Sequence, residues 1–107
     1  PALPSPRPEK PVLVDGLGQV HSLDPAVVTI GASRSNDVVV TQPGVSRAHA
    51  RIVRGTDGSL VFEDLGSRFG SKVNGGRVTR VRISNGDEIA LGSWRAVVHL
   101  GGPARGS

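Results

Sequence analysis

Apolar residues in this chain come in short runs, each closed by a turn-type residue. "VLVDG", "VHSL", "VVTIG", "DVVV", "AHARIV", "LVFEDL", "KVNG", "VRIS", "DEIALG" and "WRAVVHL" follow one another between residues 12 and 100. Runs of this length, rich in valine and broken by Gly, Pro, Asn and Asp, predict strands. No stretch carries the three-to-four spacing of a useful amphipathic helix. Turn chemistry predicts tight hairpins at Asp57-Gly58, between "ARIVR" and "LVFED", at Asn85-Gly86, between "VRIS" and "DEIAL", and at Asn74-Gly75. Many short antiparallel strands around one core predict an all-β fold, a β-sandwich in preference to a closed barrel.

Composition sharpens this picture. A chain of 107 residues suits one domain with one core. With 36% hydrophobic residues but one Trp, two Phe and no Tyr, that core must be built from Val, Ile, Leu and Ala. Trp94, ahead of "RAVVHL", is expected in core or edge packing. Fifteen Gly and eight Pro supply the turns. The Pro-rich opening, residues 1–11, predicts an extended lead-in, residues 12–100 the folded domain, and the closing residues 101–107 a tail. The stretch opens without Met, which predicts a module of a larger protein.

Charge and residue inventory narrow the function classes. There is no cysteine, hence no disulfide, thiol nucleophile or thiolate metal site. The net charge of +4 permits an anionic partner, yet the basic residues are dispersed instead of forming one block. Nucleic acid is a minor alternative because stacking aromatics are nearly absent. No apolar run reaches membrane-spanning length and no signal-like leader opens the chain, so no membrane partner is expected and the module is read as intracellular, cytoplasmic or nuclear.

The stretch "VSRAHARIV", residues 45–53, holds the candidate chemistry. Ser46, Arg47 and His49 stand at the head of a strand, where they admit a nucleophile with its base, a metal site, or an anion pocket beside a structural histidine. Catalysis is disfavoured: Ser46, His49 and Asp64 supply the residue types of a triad, but there is no glycine-framed nucleophile elbow. His21, His49 and His99 lack paired-ligand spacing for zinc. No Walker-type phosphate loop occurs. The expectation is therefore no enzyme, no cofactor and no metal. A serine hydroxyl beside an arginine makes a plausible half-site for a phosphate dianion.

Three loops stand out: "GASRSND" (31–37), "PGVSRAH" (43–49) and "DLGSRFGSKVNG" (64–75). In order and spacing, "IGASRSNDVVV", "VSRAHARI", "FEDLGSRFGSKVNG" and "NGDEIALG" resemble the forkhead-associated (FHA) domain family, over roughly residues 12–100. That resemblance implies a mainly antiparallel, eleven-stranded β-sandwich that recognises phosphothreonine peptides through loops at one end. It implies that Ser46 hydrogen-bonds the phosphate and that Arg68 occupies a position that contacts phosphothreonine; Ser71 of the same loop is expected to face the ligand, and Phe69 either contacts it from the loop tip or is tucked inward as packing. It also implies loop-bracing roles for Gly31, Asn36, Asp37, His49, Gly70 and Asn74.

The chain departs from the family pattern at two positions. Ala32 stands where the family has arginine directly after the glycine of "IG". Arg68-Phe69 stand where the family usually has Thr-Asn before Gly70, a nibrin-type variant of this loop. Arg34 lies two residues beyond Ala32, so in an extended segment it would point to the same side; with Arg47 and Arg68 it would complete a three-arginine pocket. The expected function is phosphothreonine-dependent recognition of a peptide or protein. The rival reading, motivated by Ala32, is a degenerate FHA domain that binds proteins without phosphate or self-associates.

Overall fold

The computed structural model describes residues 11–100. The Pro-rich lead-in and the tail expected from composition lie outside the described residues, Pro11 apart. Eleven strands run β1 (Val12–Asp15), β2 (Val20–Ser22), β3 (Val27–Gly31), β4 (Val38–Val39), β5 (Ala50–Arg54), β6 (Leu60–Asp64), β7 (Ser71–Val73), β8 (Gly76–Val78), β9 (Arg80–Ile83), β10 (Glu88–Leu91) and β11 (Trp94–His99). Among the described residues no helix interrupts them. One sheet has the order β2-β1-β11-β10-β7-β8, the other β4-β3-β5-β6-β9. All pairings are antiparallel except the short parallel β3–β4 pair.

Period-two burial explains why these runs are strands: β11 reads buried, exposed, buried, partly buried, buried, exposed. The inward residues of the two sheets meet in one core that contains Leu13, Val28, Ile30, Ile52, Leu60, Phe62, Ile89, Leu91 and Val98. Trp94 belongs to this core, and its indole N–H points to the buried Asp15 Oδ2 at 3.4 Å.

Two of the three predicted hairpins are present. Asp57-Gly58 joins β5 to β6, and Asn74-Gly75 joins β7 to β8 with both residues at positive φ, 54° and 85°, as a type I′ turn requires. Asn85-Gly86 is a correction. Its flanking strands, β9 and β10, lie in different sheets, so this turn carries the chain across the sandwich instead of closing a hairpin. The dipeptide specifies a tight reversal, while long-range pairing of β9 with β6 and of β10 with β7 and β11 decides where the strands go.

Candidate functional site

The second loop is built around His49. Its side chain has 0% exposure. The backbone N–H of Ser46 donates to Nδ1 at 3.0 Å, so the ring proton resides on Nε2, which donates to the Gly70 carbonyl at 2.9 Å. One imidazole thus ties the second loop to the third. The Ser46 hydroxyl adds another tie, accepting the Arg68 N–H at 3.1 Å. The buried ring has no part in activating that hydroxyl, because its acceptor nitrogen is occupied by the Ser46 amide.

The first loop is sewn to the second through backbone carbonyls. Ala32 N–H donates to the Ser46 carbonyl at 2.9 Å, and the Arg47 carbonyl accepts from Ser33 N–H at 3.2 Å and from Asn36 Nδ2 at 2.7 Å. The approach is so close that a Cβ on Gly31 would collide with the Arg47 carbonyl oxygen. Asn36 also donates to Ser33 at 2.9 Å, while the Asp37 carboxylate accepts from Thr29.

Asp64 organises the third loop. Its Oδ1 accepts the N–H groups of Gly66 and Ser67, at 2.9 and 2.8 Å, and its Oδ2 accepts the hydroxyls of Ser67 and Ser71. Burial pushes its pKa up, but these bonds outweigh burial and hold the carboxyl below its ordinary range. The Ser67 hydroxyl in turn accepts Gly70 N–H at 3.0 Å. At the far end of the hairpin, Asn74 reaches Asp87 through Nδ2 and accepts Glu88 N–H, bracing the 74–75 turn.

Between the second and third loops lies an open cleft of 540 Å³, lined by Gly44, Val45, Ser46, Arg47, Ala48, Arg68 and Phe69. Phe69 is 62% exposed at the loop tip, and the Arg68 guanidinium carbon stands 5.5 Å from its ring centroid. Neither Arg47 nor Arg68 has a carboxylate partner among the described residues. Converging cations, a hydroxyl and an apolar wall suit a small anion carried on a side chain.

The structure gathers Ser46, Arg47, Arg68 and Phe69 in one place, and not Arg34 or Ser71. Arg34 sits in a turn closed by Asn36 N–H to the Ser33 carbonyl, so the segment is not extended and Arg34 is exposed outside the cleft lining. Ser71, expected to face the ligand, is 1% exposed and bonded to Asp64, so it braces the loop from within. Sequence reasoning missed Asp64 as the loop's anchor, although "DLGS" carries the Asp-to-backbone turn signal that would have flagged it. The contribution of Gly44 and Val45 to the cleft had no such signal.

Comparisons with known proteins identify the family of this fold. The family model of the FHA domain matches residues 28–92. Glycogen accumulation regulator GarA of Mycobacterium tuberculosis is 34% identical over 89 residues, 83% of this chain and 54% of that protein. The oxoglutarate dehydrogenase inhibitor of Corynebacterium diphtheriae is 36% identical over 81 residues, 76% of this chain and 55% of that one. The chain therefore spans about half the length of these two relatives, 54% and 55%. A structure of Mycobacterium tuberculosis EmbR in complex with a low affinity phosphopeptide superposes with a TM-score of 0.81 at 30% identity, covering 91% of this chain and 26% of EmbR. With the family model spanning most of the described strands and the two-sheet architecture matching, this chain belongs to the forkhead-associated domain family.

Proposed function

We propose that this FHA domain is a non-catalytic module that binds phosphothreonine in a peptide or protein partner, in the cleft between the second and third loops. The observation that carries the reading is the convergence of Ser46, Arg47 and Arg68, with cations that lack carboxylate partners among the described residues, on one open cleft. Ser46 and the two guanidinium groups hold the phosphate, and Val45 and Phe69 offer apolar surface to the threonine methyl and its neighbours. A catalytic reading has no support in the geometry, since both ring nitrogens of His49 are engaged by the Ser46 amide and the Gly70 carbonyl instead of by the Ser46 hydroxyl. The phosphopeptide in the EmbR complex supports the same ligand class here. Phosphorylation of threonine draws on ATP, and on that ground we place the module inside the cell.

Ala32 favours a second reading, in which the domain binds partners without phosphate. The test is binding of the 107-residue chain to a degenerate peptide library centred on phosphothreonine, alongside phosphoserine and unphosphorylated versions. Binding that requires phosphothreonine and weakens about ten- to a hundredfold in Arg47→Ala and Arg68→Ala supports the cleft, since a charge-assisted hydrogen bond is worth about 1.5–3 kcal/mol. Ala32→Arg places a guanidinium beside Ser46, whose carbonyl the residue 32 amide already holds; it is expected to tighten binding about tenfold on the same scale. A folded protein that ignores phosphorylation throughout establishes the second reading instead.

A further inference from the structure

We infer that the turn between β10 and β11, Gly92-Ser93, is the seat that sets the second loop in place for phosphate, which makes Gly92 and Ser93 positioning residues although neither lines the cleft. The inference rests on the phosphothreonine reading and adds to it a determinant of affinity outside the contact surface.

The second loop has two supports. Its rear half, Ser46 and Arg47, is bonded to the first loop and to His49. Its front half, Pro43 and Gly44, leans on the β10–β11 turn, where the Pro43 carbonyl accepts the Ser93 N–H at 3.1 Å and the Ser93 hydroxyl at 3.3 Å. There the backbones of Gly44 and Gly92 touch. A Cβ on Gly44 would lie 2.9 Å from Gly92 Cα. A Cβ on Gly92 would lie 2.7 Å from the Gly44 carbonyl carbon and 2.8 Å from Gly44 Cα, and would collide with the Pro43 carbonyl oxygen. All of these neighbours are backbone atoms, so no side-chain rotation makes room.

Backbone conformation alone does not demand glycine at position 92. Its φ is 59°, and Asn74 holds a φ of 54° with a full side chain. The close approach of another backbone is what excludes a Cβ there. Of the two partners, the turn is the firmer. It joins Leu91 to Trp94, which pair across the hairpin and are 0% and 3% exposed. A push at residue 92 is therefore relieved by the loop. Gly44 lines the cleft and is followed at once by Val45 and Ser46, so the displacement is delivered to the phosphate-binding hydroxyl.

The test measures the affinity of the whole chain for phosphothreonine peptide pools, together with the urea midpoint, in Gly92→Ala and Gly86→Ala. Gly86 separates position from stability: it precedes β10, has a φ of +86 to +88° like other turn glycines here, at 88°, and a Cβ on it meets nothing within 4 Å. Gly92→Ala is expected to weaken phosphothreonine binding about tenfold, the loss of one charge-assisted contact, and to shift the amide NMR signals of Gly44, Val45 and Ser46. Gly86→Ala is expected to lower the midpoint through backbone strain, yet to bind within about twofold of the parent. If Gly92→Ala does not fold, the exposed Ser93 decides. Ser93→Ala is expected to bind about two- to fivefold more weakly, while Ser93→Thr, which keeps a hydroxyl, stays near the parent. A folded Gly92→Ala with parent affinity overturns the inference, as does equal weakening in the Gly86 and Gly92 variants; with Gly92→Ala unfolded, parent affinity in Ser93→Ala overturns it. If the parent chain itself ignores phosphothreonine, the underlying reading falls; if the parent binds and these variants bind equally well, only this inference falls.

Discussion

Glu63 and Asp64 are neighbours at the end of β6, yet their carboxylates serve opposite regions of the molecule. Glu63 faces outward on the five-stranded sheet, where Arg51 Nε approaches Oε1 at 2.6 Å and Arg80 Nε approaches Oε2 at 3.1 Å. Asp64 turns into the third loop and accepts hydrogen bonds from Gly66, Ser67 and Ser71. The sheet thus neutralises its arginines. At the loop end the Asp64 carboxylate is engaged by serines and amides, and Arg47 and Arg68 have no carboxylate partner among the described residues. Ligand-ready charge in this fold therefore depends on where the acids are directed as much as on where the arginines stand. Lack of a partner alone does not make a site, since Arg34 and Arg95 also lack one among the described residues and lie outside the cleft.

The comparison breaks most severely if the internal polar scaffold at the loop end is removed. His49→Leu leaves the Ser46 amide and the Gly70 carbonyl, both partly buried, without the partner that the fully buried ring supplies. Each buried group stranded in this way costs about 1–3 kcal/mol, so urea denaturation should show a loss of roughly 2–5 kcal/mol. Phosphopeptide affinity should fall as well, because the same ring registers Ser46 against the third loop. Arg47→Ala, on the exposed side of that loop, should leave stability within about 0.5 kcal/mol of the parent. Equal stability of the His49→Leu variant and the parent would remove the histidine from the scaffold.

Asp64→Asn tests the same scaffold through pH. The folded carboxyl titrates below its ordinary range despite burial, because the hydrogen bonds from Ser67, Ser71 and the loop amides favour the anion. The sign follows from linkage. Its stabilising contribution is complete above the unfolded-state value of about 4 and is lost as pH falls through the lower folded value. Asp64→Asn should therefore lower stability at pH 7 by about 1–3 kcal/mol, the usual range for hydrogen bonds to a charged group, and flatten the acid limb of the stability profile. An unchanged acid limb would assign acid sensitivity to another group, with the buried Asp15 next in line: burial raises its pKa, but bonds from His21, Gln19 and Leu17 bring it below the ordinary value.

Much of this division was legible in the sequence. Strand content and two of three hairpins follow from short valine-rich runs and turn dipeptides, and the order of the binding loops from the family resemblance. Where tertiary pairing decides, local signals fail: Asn85-Gly86 specifies a tight turn but not the sheet to which each arm belongs. Extrapolating along the chain failed for Arg34, because side-chain alternation holds only where the backbone is extended and the chain turns at Ser33–Asn36. For Ser71 its place in the third loop pointed to the ligand, while the Asp64 acceptor that draws it inward lies seven residues earlier. The two-residue hairpin at Asn74-Gly75, by contrast, already sets Lys72 opposite Arg77, so the like-charge pair was readable from turn length alone.

The smallest effect belongs to Glu63→Gln, and it is the sharper test of what an arginine needs to become a binding residue. Arg51 and Arg80 share one outward carboxylate, whose pKa is lowered first by the hydrogen bond from Arg51 and further by the charge of both arginines, against a smaller burial effect. Its contribution is present above the ordinary carboxylate value and fades as pH falls through the folded one. Exposed pairs of this kind are screened by salt, so Glu63→Gln should move the denaturation midpoint less than Asp64→Asn does, and less again at high ionic strength. The substitution also frees two guanidinium groups on the flank of the sheet. If unpaired cations were sufficient, phosphopeptide affinity would rise, or a second binding site would appear in the stoichiometry. The geometry predicts neither, because Arg51 and Arg80 lie outside the cleft in which Ser46 and Phe69 stand beside Arg47 and Arg68. A titration that keeps one site at unchanged affinity in Glu63→Gln would locate recognition in the convergence of the loops, and a gain of binding would locate it in charge alone.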